Sequence, residues 1–241
     1  MPSVRINKFL ALCGVTSRRG ADALIAQQRV VVNDCLVDKV GTIIDDECDV
    51  VKVDGTVVSP VREKVHVLLF KPREVVTTLD DPFHRRTVAD YLRNLKVRVY
   101  PVGRLDYDTD GVLLLTNDGD LAHRLTHPRY EVPKVYEAQV RGYFEHDSAH
   151  LIGKGIPLED GAIGRAKVRI GVRTDDTTRI RLTLTEGRKR EVKQLCKAVG
   201  HRVLRLQRIK FAGLTVEGLQ PGNWRHLSDD EVRQLKELVG L

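Results

Sequence analysis

Three aspartates alternate along the stretch "GRLDYDTDGVLLLTNDG": Asp106, Asp108 and Asp110. The order Asp-x-Asp-x-Asp-Gly opens an EF-hand calcium loop, but such a loop needs a bidentate glutamate at its twelfth position. The chain has Asn117 there, and the apolar run 112–115 fills the middle, so calcium is disfavoured. Clustered carboxylates could also hold two Mg²⁺ ions in a nuclease, although no second carboxylate cluster accompanies them.

A guanidinium precedes the first of these carboxylates. Arg104 lies two residues before Asp106, so both side chains point the same way if this segment ends a strand. A nearby positive charge favours the ionised carboxylate, which would make Asp106 a charged base or nucleophile. The same residues could equally form a purely structural ion pair.

Metal sites built on histidine or cysteine are disfavoured. His123 and His127 have the i, i+4 spacing of helical ligands but lack the glutamate of a zinc-protease motif. The four cysteines are scattered without a Cys-x-x-Cys pair, which disfavours a disulfide framework and favours a reducing compartment. We therefore expect no metal.

The elements that must position these residues are mostly strands. The patterns show no regular alternation of strand and helix, so a doubly wound parallel sheet is disfavoured. We predict an α+β chain whose larger domain, residues 65–241, has a mostly antiparallel mixed sheet with flanking helices. The predicted strands are 65–70, 112–116, 136–140, 166–170, 180–184 and 203–209, and the predicted helices are 87–95, 119–125, 147–154, 190–199 and 229–238.

Residues 1–60 have the pattern of a separate small domain. Two amphipathic helices are predicted, the first ended by Gly14 and the second capped by Thr16 or Ser17. Two predicted hairpins then form a small sheet. The polar segment 59–64 is the predicted linker between the two domains.

Basic residues concentrate in two places. The net charge is +7, and the segment 186–210 alone holds nine Lys or Arg against two Glu. Residues 1–40 hold six Lys or Arg against three Asp. A solvated face would mix the signs more evenly, so both segments predict surfaces that bind a polyanion. The residues expected to bind its phosphates are Arg5, Lys8, Arg18, Arg19, Arg188, Lys189, Arg190 and Lys197.

The first domain resembles the small RNA-binding domain found in a small-subunit ribosomal protein and in bacterial tyrosyl-tRNA synthetases. The order helix, "TSRR", helix, "RVVVND" carries that resemblance. It implies that the polyanion is RNA.

The stretch "GRLDYDTDGVLLLTNDGDLAHRLTHP" resembles the signature of the bacterial ribosomal-RNA pseudouridine synthases of the RsuA and RluB type. The resemblance continues through "VPKVYEAQV" and "LTEGRKREVKQL" and covers nearly the whole chain, with a preference for the RluB-like branch. It implies a site-specific conversion of uridine to pseudouridine in large-subunit rRNA without a cofactor. Small-subunit rRNA is an alternative substrate, and a non-catalytic rRNA-binding assembly factor is an alternative function.

The same resemblance implies roles for individual residues. Asp106 would be the catalytic residue, Tyr136 would stack on the target uracil, and Lys193 would pair with the catalytic aspartate. Apart from the resemblance, Arg104 and Leu184 complete the predicted substrate site. Leu184, just before the basic motif, could form an apolar wall below the base, although a buried strand leucine needs no such role.

Two of these residues have rival interpretations. Tyr136 could instead be a strand aromatic packed in the core. Lys193 has i, i+4, i+8 spacing with Lys189 and Lys197, and such a stripe suits phosphate binding.

The expected partner is ribosomal RNA or a ribosomal-subunit assembly intermediate, bound by a monomer. No stretch approaches the roughly 18 apolar residues of a membrane span and no signal peptide is evident, so no membrane partner and a cytoplasmic location are expected. A DNA-binding regulator is disfavoured because the sequence shows no helix-turn-helix with base-reading residues.

Overall fold

The computed structural model describes residues 3–241, and residues 1 and 2 of the predicted first domain lie outside this range. The chain divides into two compact units, one ending at Lys64 and the other spanning Val65–Leu241. Both units combine helices with largely antiparallel strands, which confirms the predicted α+β class. No helix within the described range is long and apolar enough to cross a membrane.

The first unit packs two helices around a small apolar core. Phe9 and Leu10 of the first helix and Ile25 of the second are buried in it. The second helix begins after Ser17, whose hydroxyl accepts a hydrogen bond from the Gly20 amide at 3.0 Å. The elements are β1 (Ser3–Arg5), α1 (Ile6–Leu12), α2 (Arg18–Ala26), β2 (Val30–Val32), β3 (Cys35–Leu36), β4 (Ile43–Asp45), β5 (Val51–Val53) and β6 (Thr56–Val57). Strand β1 pairs with β4, and the order β3-β2-β5-β6 makes an antiparallel sheet.

The second unit is built on one large sheet. Its elements are β7 (His66–Lys71), β8 (Tyr100–Pro101), β9 (Asp110–Thr116), α3 (Gly119–Thr126), β10 (Lys134–Arg141), α4 (His146–Lys154), β11 (Ile156–Pro157), β12 (Ile163–Gly164), β13 (Lys167–Arg173), β14 (Thr177–Leu184), α5 (Glu191–Ala198), β15 (Val203–Phe211), β16 (Trp224–His226) and α6 (Asp229–Val239). The strand order is β13-β14-β10-β15-β9-β7-β16, with β8 added alongside β9. Strands β15 and β9 run parallel and the other neighbours antiparallel, so the predicted mixed sheet is confirmed.

Strands β7 and β9 are buried on both faces. Leu114 packs with Leu121 of α3 and Leu235 of α6, while its neighbours Leu113 and Leu115 belong to the core on the opposite face. A strand covered on both sides has no polar face, which explains the uninterrupted apolar run of β9.

The predicted helix 87–95 is wrong. The structure has a single 3-10 turn there, Val88–Tyr91, closed by a capping box in which Asp90 accepts a hydrogen bond from the Thr87 amide at 2.8 Å. The Leu92 amide then donates to the Ala89 carbonyl and the Leu95 amide to the Leu92 carbonyl, each three residues back. Successive three-residue turns bury apolar residues at nearly helical spacing without forming a helix.

Candidate active site

A cavity of about 700 Å³ opens in the second unit, a size typical of small-molecule sites. The loop before β9, the strands β10, β14 and β15 and the segment that leads into α5 supply its lining. Four predicted site residues lie on its wall: Arg104, Asp106, Tyr136 and Leu184. Lys193 approaches the same place from α5, where it contacts Asp106.

Lys193 hydrogen-bonds two carboxylates at this cavity. Its Nζ lies 3.2 Å from Oδ2 of Asp106 and also donates to Oδ1 of Asp108. The Lys193 side chain is 13% exposed and that of Asp106 33%, so the pair is only partly screened by water. Burial by itself raises the pKa of Asp108, but the hydrogen bond and charge of Lys193 outweigh it, and the pKa is lowered. One ammonium therefore orients two adjacent carboxylates.

A buried lysine anchors the backbone around Asp106. Lys71, the last residue of β7, donates from Nζ to the carbonyl oxygen of Asp106 at 3.2 Å and to those of Pro72 and Thr109 at 2.9 Å. Burial lowers the pKa of Lys71 to about 8, although the charge of Asp110 opposes that shift. Sequence reasoning missed Lys71 because a lysine that ends an apolar strand usually reaches solvent.

Arg104 does not pair with Asp106, so the ion pair expected from their alternation is wrong. Arg104 is exposed on the cavity wall, and across residues 3–241 the ion pair of Asp106 is the one with Lys193. Residues 104–106 lie in the loop between β8 and β9 and not at a strand end, so the assumed alternation does not apply. The role of Arg104 in binding substrate stays a prediction.

Asp110 is separated from the other two aspartates. It is the buried first residue of β9, and its Oδ2 accepts a hydrogen bond from Nε2 of Gln207 at 3.2 Å. Gly111 follows with a φ of +118° and packs so closely on the backbone of Arg208 that a Cβ atom would overlap it. Within the described part of the chain, no three His, Cys, Asp or Glu side chains form a group suited to a metal ion.

Tyr136 and Leu184 contribute an apolar part of the cavity wall. Tyr136 lies on β10, half-buried, and pairs across the sheet with Leu182 and Arg208. Leu184 ends β14 and is 3% exposed. Tyr136 therefore packs against the core and also lines the cavity, and its stacking on a uracil stays a prediction.

Two buried cations at the cavity were not predicted. Nζ of Lys134 donates to the carbonyl oxygens of Val132 at 2.9 Å and Thr185 at 3.0 Å, and burial lowers its pKa to about 8. Nε of Arg208 donates to the carbonyl oxygen of Val112 at 2.8 Å. The sequence shows both only as basic residues within strands, which gives no sign of burial.

The predicted basic stripe on α5 is wrong. Arg190 is the residue before the helix and has a φ of +53°, so Lys189 is not on the helix at all. Lys193 faces the two carboxylates, whereas Lys197 is exposed, 3.8 Å from a carboxylate oxygen of Glu159. Only Lys197 of the three has the exposed helical position that the stripe assumed.

The other residues predicted to bind RNA are exposed. Arg5, Lys8, Arg18 and Arg19 lie on the surface of the first unit. In the second unit, Arg188, Lys189 and Arg190 border the cavity. Arg188 also pairs with Glu186 at 2.8 Å and Asp160 at 3.4 Å, which reduces its free charge.

Comparisons with known proteins agree with this arrangement. Residues 65–198 match a family model described as RNA pseudouridylate synthase. The chain is 44% identical to an uncharacterised RNA pseudouridine synthase of Aquifex aeolicus, over 100% of this chain and 97% of that one. It is 40% identical to the ribosomal large subunit pseudouridine synthase B of Bacillus subtilis, over 98% of this chain and 96% of the relative. A crystal structure described as pseudouridylate synthase matches with a TM-score of 0.68 at 28% identity, over 96% of this chain and 99% of that chain.

Proposed function

Since the chain belongs to the RNA pseudouridylate synthase family, in its RsuA and RluB group, and so is an enzyme that converts uridine to pseudouridine in RNA, we propose that it acts on large-subunit ribosomal RNA with Asp106 as the catalytic residue. The observation that carries the proposal is the Asp106 carboxylate on the cavity wall, held by Lys193 at 3.2 Å.

The reaction needs a carboxylate and no redox partner. The bond between the ribose and N1 of uracil breaks, the base rotates, and a bond forms from the ribose to C5, which loses its hydrogen while N1 gains one. Asp106 can attack the sugar carbon as a nucleophile or remove a sugar proton as a base. Both routes require the carboxylate at a fixed position, and Lys71 and Lys193 supply that by holding its backbone and side chain.

The rest of the cavity wall suits an extruded uridine. Taking a base out of its stack costs a few kcal/mol, and stacking on an aromatic ring returns about 1 to 3 kcal/mol. Tyr136 supplies that ring, and Leu184 an apolar wall beside it. Arg104 and Arg190 are exposed at the cavity, and we propose that their charges bind phosphates that flank the target nucleotide.

Two features support a large ribosomal RNA as the substrate, and the first of them favours the large subunit. The relative from Bacillus subtilis is named for that subunit and aligns over nearly the whole chain. Exposed arginines and lysines on both units offer phosphate contacts to an RNA much larger than one nucleotide. Ribosomal assembly intermediates as substrates, a monomeric state and a cytoplasmic location stay predictions from the sequence.

The test is tritium release from rRNA labelled with [5-³H]uridine. Because C5 loses its hydrogen when pseudouridine forms, released tritium counts turnovers. We expect release from large-subunit rRNA with the wild-type protein and none with Asp106→Asn. Release from small-subunit rRNA alone would move the substrate to that subunit, and tight binding of both RNAs without release would support an assembly factor.

A further inference from the structure

A short loop stands at the rim of the cavity. Val76 and Thr77 line the cavity, and the chain returns to them ten residues later. The Val76 amide donates to the Arg86 carbonyl at 2.9 Å, and the Val88 amide donates to the Val76 carbonyl at 3.1 Å. These bonds close the base of the loop 78–86, and that base lies at the cavity.

Phe83 lies in this loop with its ring in solvent. It is 74% exposed, the highest value for a large hydrophobic side chain in the part of the chain that the structure describes. A single exposed hydrophobic residue needs no explanation by itself. Its rigid support and its neighbours distinguish Phe83 from an incidental surface residue.

An ion pair fixes the loop that carries Phe83. The Asp81 carboxylate is buried and accepts hydrogen bonds from Arg85 at its amide (3.0 Å), Nε (3.1 Å) and Nη2 (2.6 Å). The Arg85 guanidinium also lies over the Phe83 ring, 5.1 Å from its centre. Arg85 therefore connects the ring to a buried anchor, which lowers the entropy cost of presenting Phe83 to a ligand.

The surroundings of Phe83 favour nucleic acid. His84, Arg85 and Arg86 follow it directly, and all three are exposed. Tyr107, 49% exposed and next to Asp106, lies within electrostatic range of Arg85. Exposed aromatic rings among arginines are the combination that binds unstacked nucleobases and their phosphates.

We propose that Phe83 is a base-stacking residue of the RNA site. Its ring packs on a nucleobase adjacent to the target uridine and takes part of the stacking position that the uridine vacates when it is extruded. The proposal rests on the proposed function and deepens it, because it assigns a contact to the RNA that flanks the reacting nucleotide. A ring that holds the neighbouring base lowers the cost of extruding the uridine.

Phe83→Ala and Phe83→Trp test this, with Tyr143→Ala as the matched control. Tyr143 is 58% exposed and lies beneath an arginine, Arg173, at 4.2 Å, but it does not line the cavity. The measurements are kcat/KM from tritium release on large-subunit rRNA and the fluorescence of 2-aminopurine placed beside the mapped uridine. We expect Phe83→Ala to lower kcat/KM about 10-fold, through KM, and to lose the quenching of 2-aminopurine. Phe83→Trp retains both, and Tyr143→Ala matches the wild type.

Three outcomes would overturn the proposal. If Phe83→Ala behaves like Tyr143→Ala while the wild type stays active, stacking by Phe83 is wrong and the proposed function stands. If Phe83→Trp falls as far as Phe83→Ala, the ring does not act by stacking. If the wild type releases no tritium from either rRNA, the proposed function fails together with this inference. Because Phe83 is exposed, both Phe83 variants should melt at the wild-type temperature.

Discussion

Replacing Lys71 with methionine should change how the stability of the protein depends on pH. The wild-type ammonium is fully buried and held by three carbonyl oxygens, one of which belongs to Asp106. Burial lowers its pKa from 10.5 to about 8. Below pH 8, Lys71 is protonated in both the folded and unfolded states, so the native protein carries the full cost of the buried charge. As the pH rises from 8 to 10.5 the native lysine is neutral while the unfolded one is still charged, and that cost is relieved.

The size of the effect follows from the two pKa values. A pKa lowered from 10.5 to about 8 corresponds to about 3 kcal/mol, at about 1.36 kcal/mol for each pKa unit. Methionine carries no charge, so its variant lacks this relief. The free energy of unfolding of the wild type, minus that of Lys71→Met, should therefore rise by about 2 to 3 kcal/mol between pH 7 and pH 10.

Urea unfolding at a series of pH values measures this difference directly. Lys154→Met, at an exposed lysine, reports what the loss of a surface lysine does over the same range. A difference between wild type and Lys71→Met that stays flat from pH 7 to pH 10 would refute the reasoning. The variant should also lose activity at every pH, because the carbonyl oxygens of Asp106 and Thr109 no longer have their common donor.

Three other predictions concern the site. Lys193→Met should lower kcat/KM on rRNA by about 100-fold, since two carboxylates lose the ammonium that orients them. Lys197→Met should change it less than about threefold at physiological salt, where a single exposed phosphate contact is screened. Gly111→Ala should lower the melting temperature, because the new Cβ overlaps a backbone that cannot move aside; an unchanged melting curve would contradict the packing. Tyr136→Leu should raise KM, whereas Tyr136→Phe should leave KM at the wild-type value, because a ring that stacks needs no hydroxyl. An equal rise in KM in both variants would exclude stacking.

Local patterns predicted most of the elements. The amphipathic period and the capping serine predicted α2 correctly, and the long apolar runs predicted the strands β7 and β9. Short strands such as β8 and β16 were missed, since two or three residues carry no measurable period and pair only because the large sheet is already present. The predicted helix 87–95 was wrong for a similar reason, because its apolar spacing is shared by successive 3-10 turns.

The candidate site was only partly predictable. Family resemblance selected Asp106, Tyr136 and Lys193, and Leu184 was selected by its position just before the basic motif; the fold brings all four to one cavity from separate elements. Alternation alone wrongly paired Arg104 with Asp106, because residues 104–106 lie in a loop between β8 and β9 and not at the end of a strand.

The buried cations were not predictable from local sequence. Lys71, Lys134 and Arg208 lie on strands, and their acceptors are backbone carbonyls from elsewhere in the chain. No residue type marks such acceptors, so only the tertiary structure places these cations beside the reactive loop.

The most direct test of the account is pseudouridine mapping of large-subunit rRNA by carbodiimide treatment and primer extension. The RNA is incubated with the wild type, with Asp106→Asn or with Asp108→Asn, the last because Asp108 shares the loop and the ammonium of Lys193. The account predicts one new stop with the wild type, a weaker stop at the same nucleotide with Asp108→Asn, and none with Asp106→Asn. A stop of wild-type strength with Asp106→Asn would contradict the assignment of Asp106 as the catalytic residue.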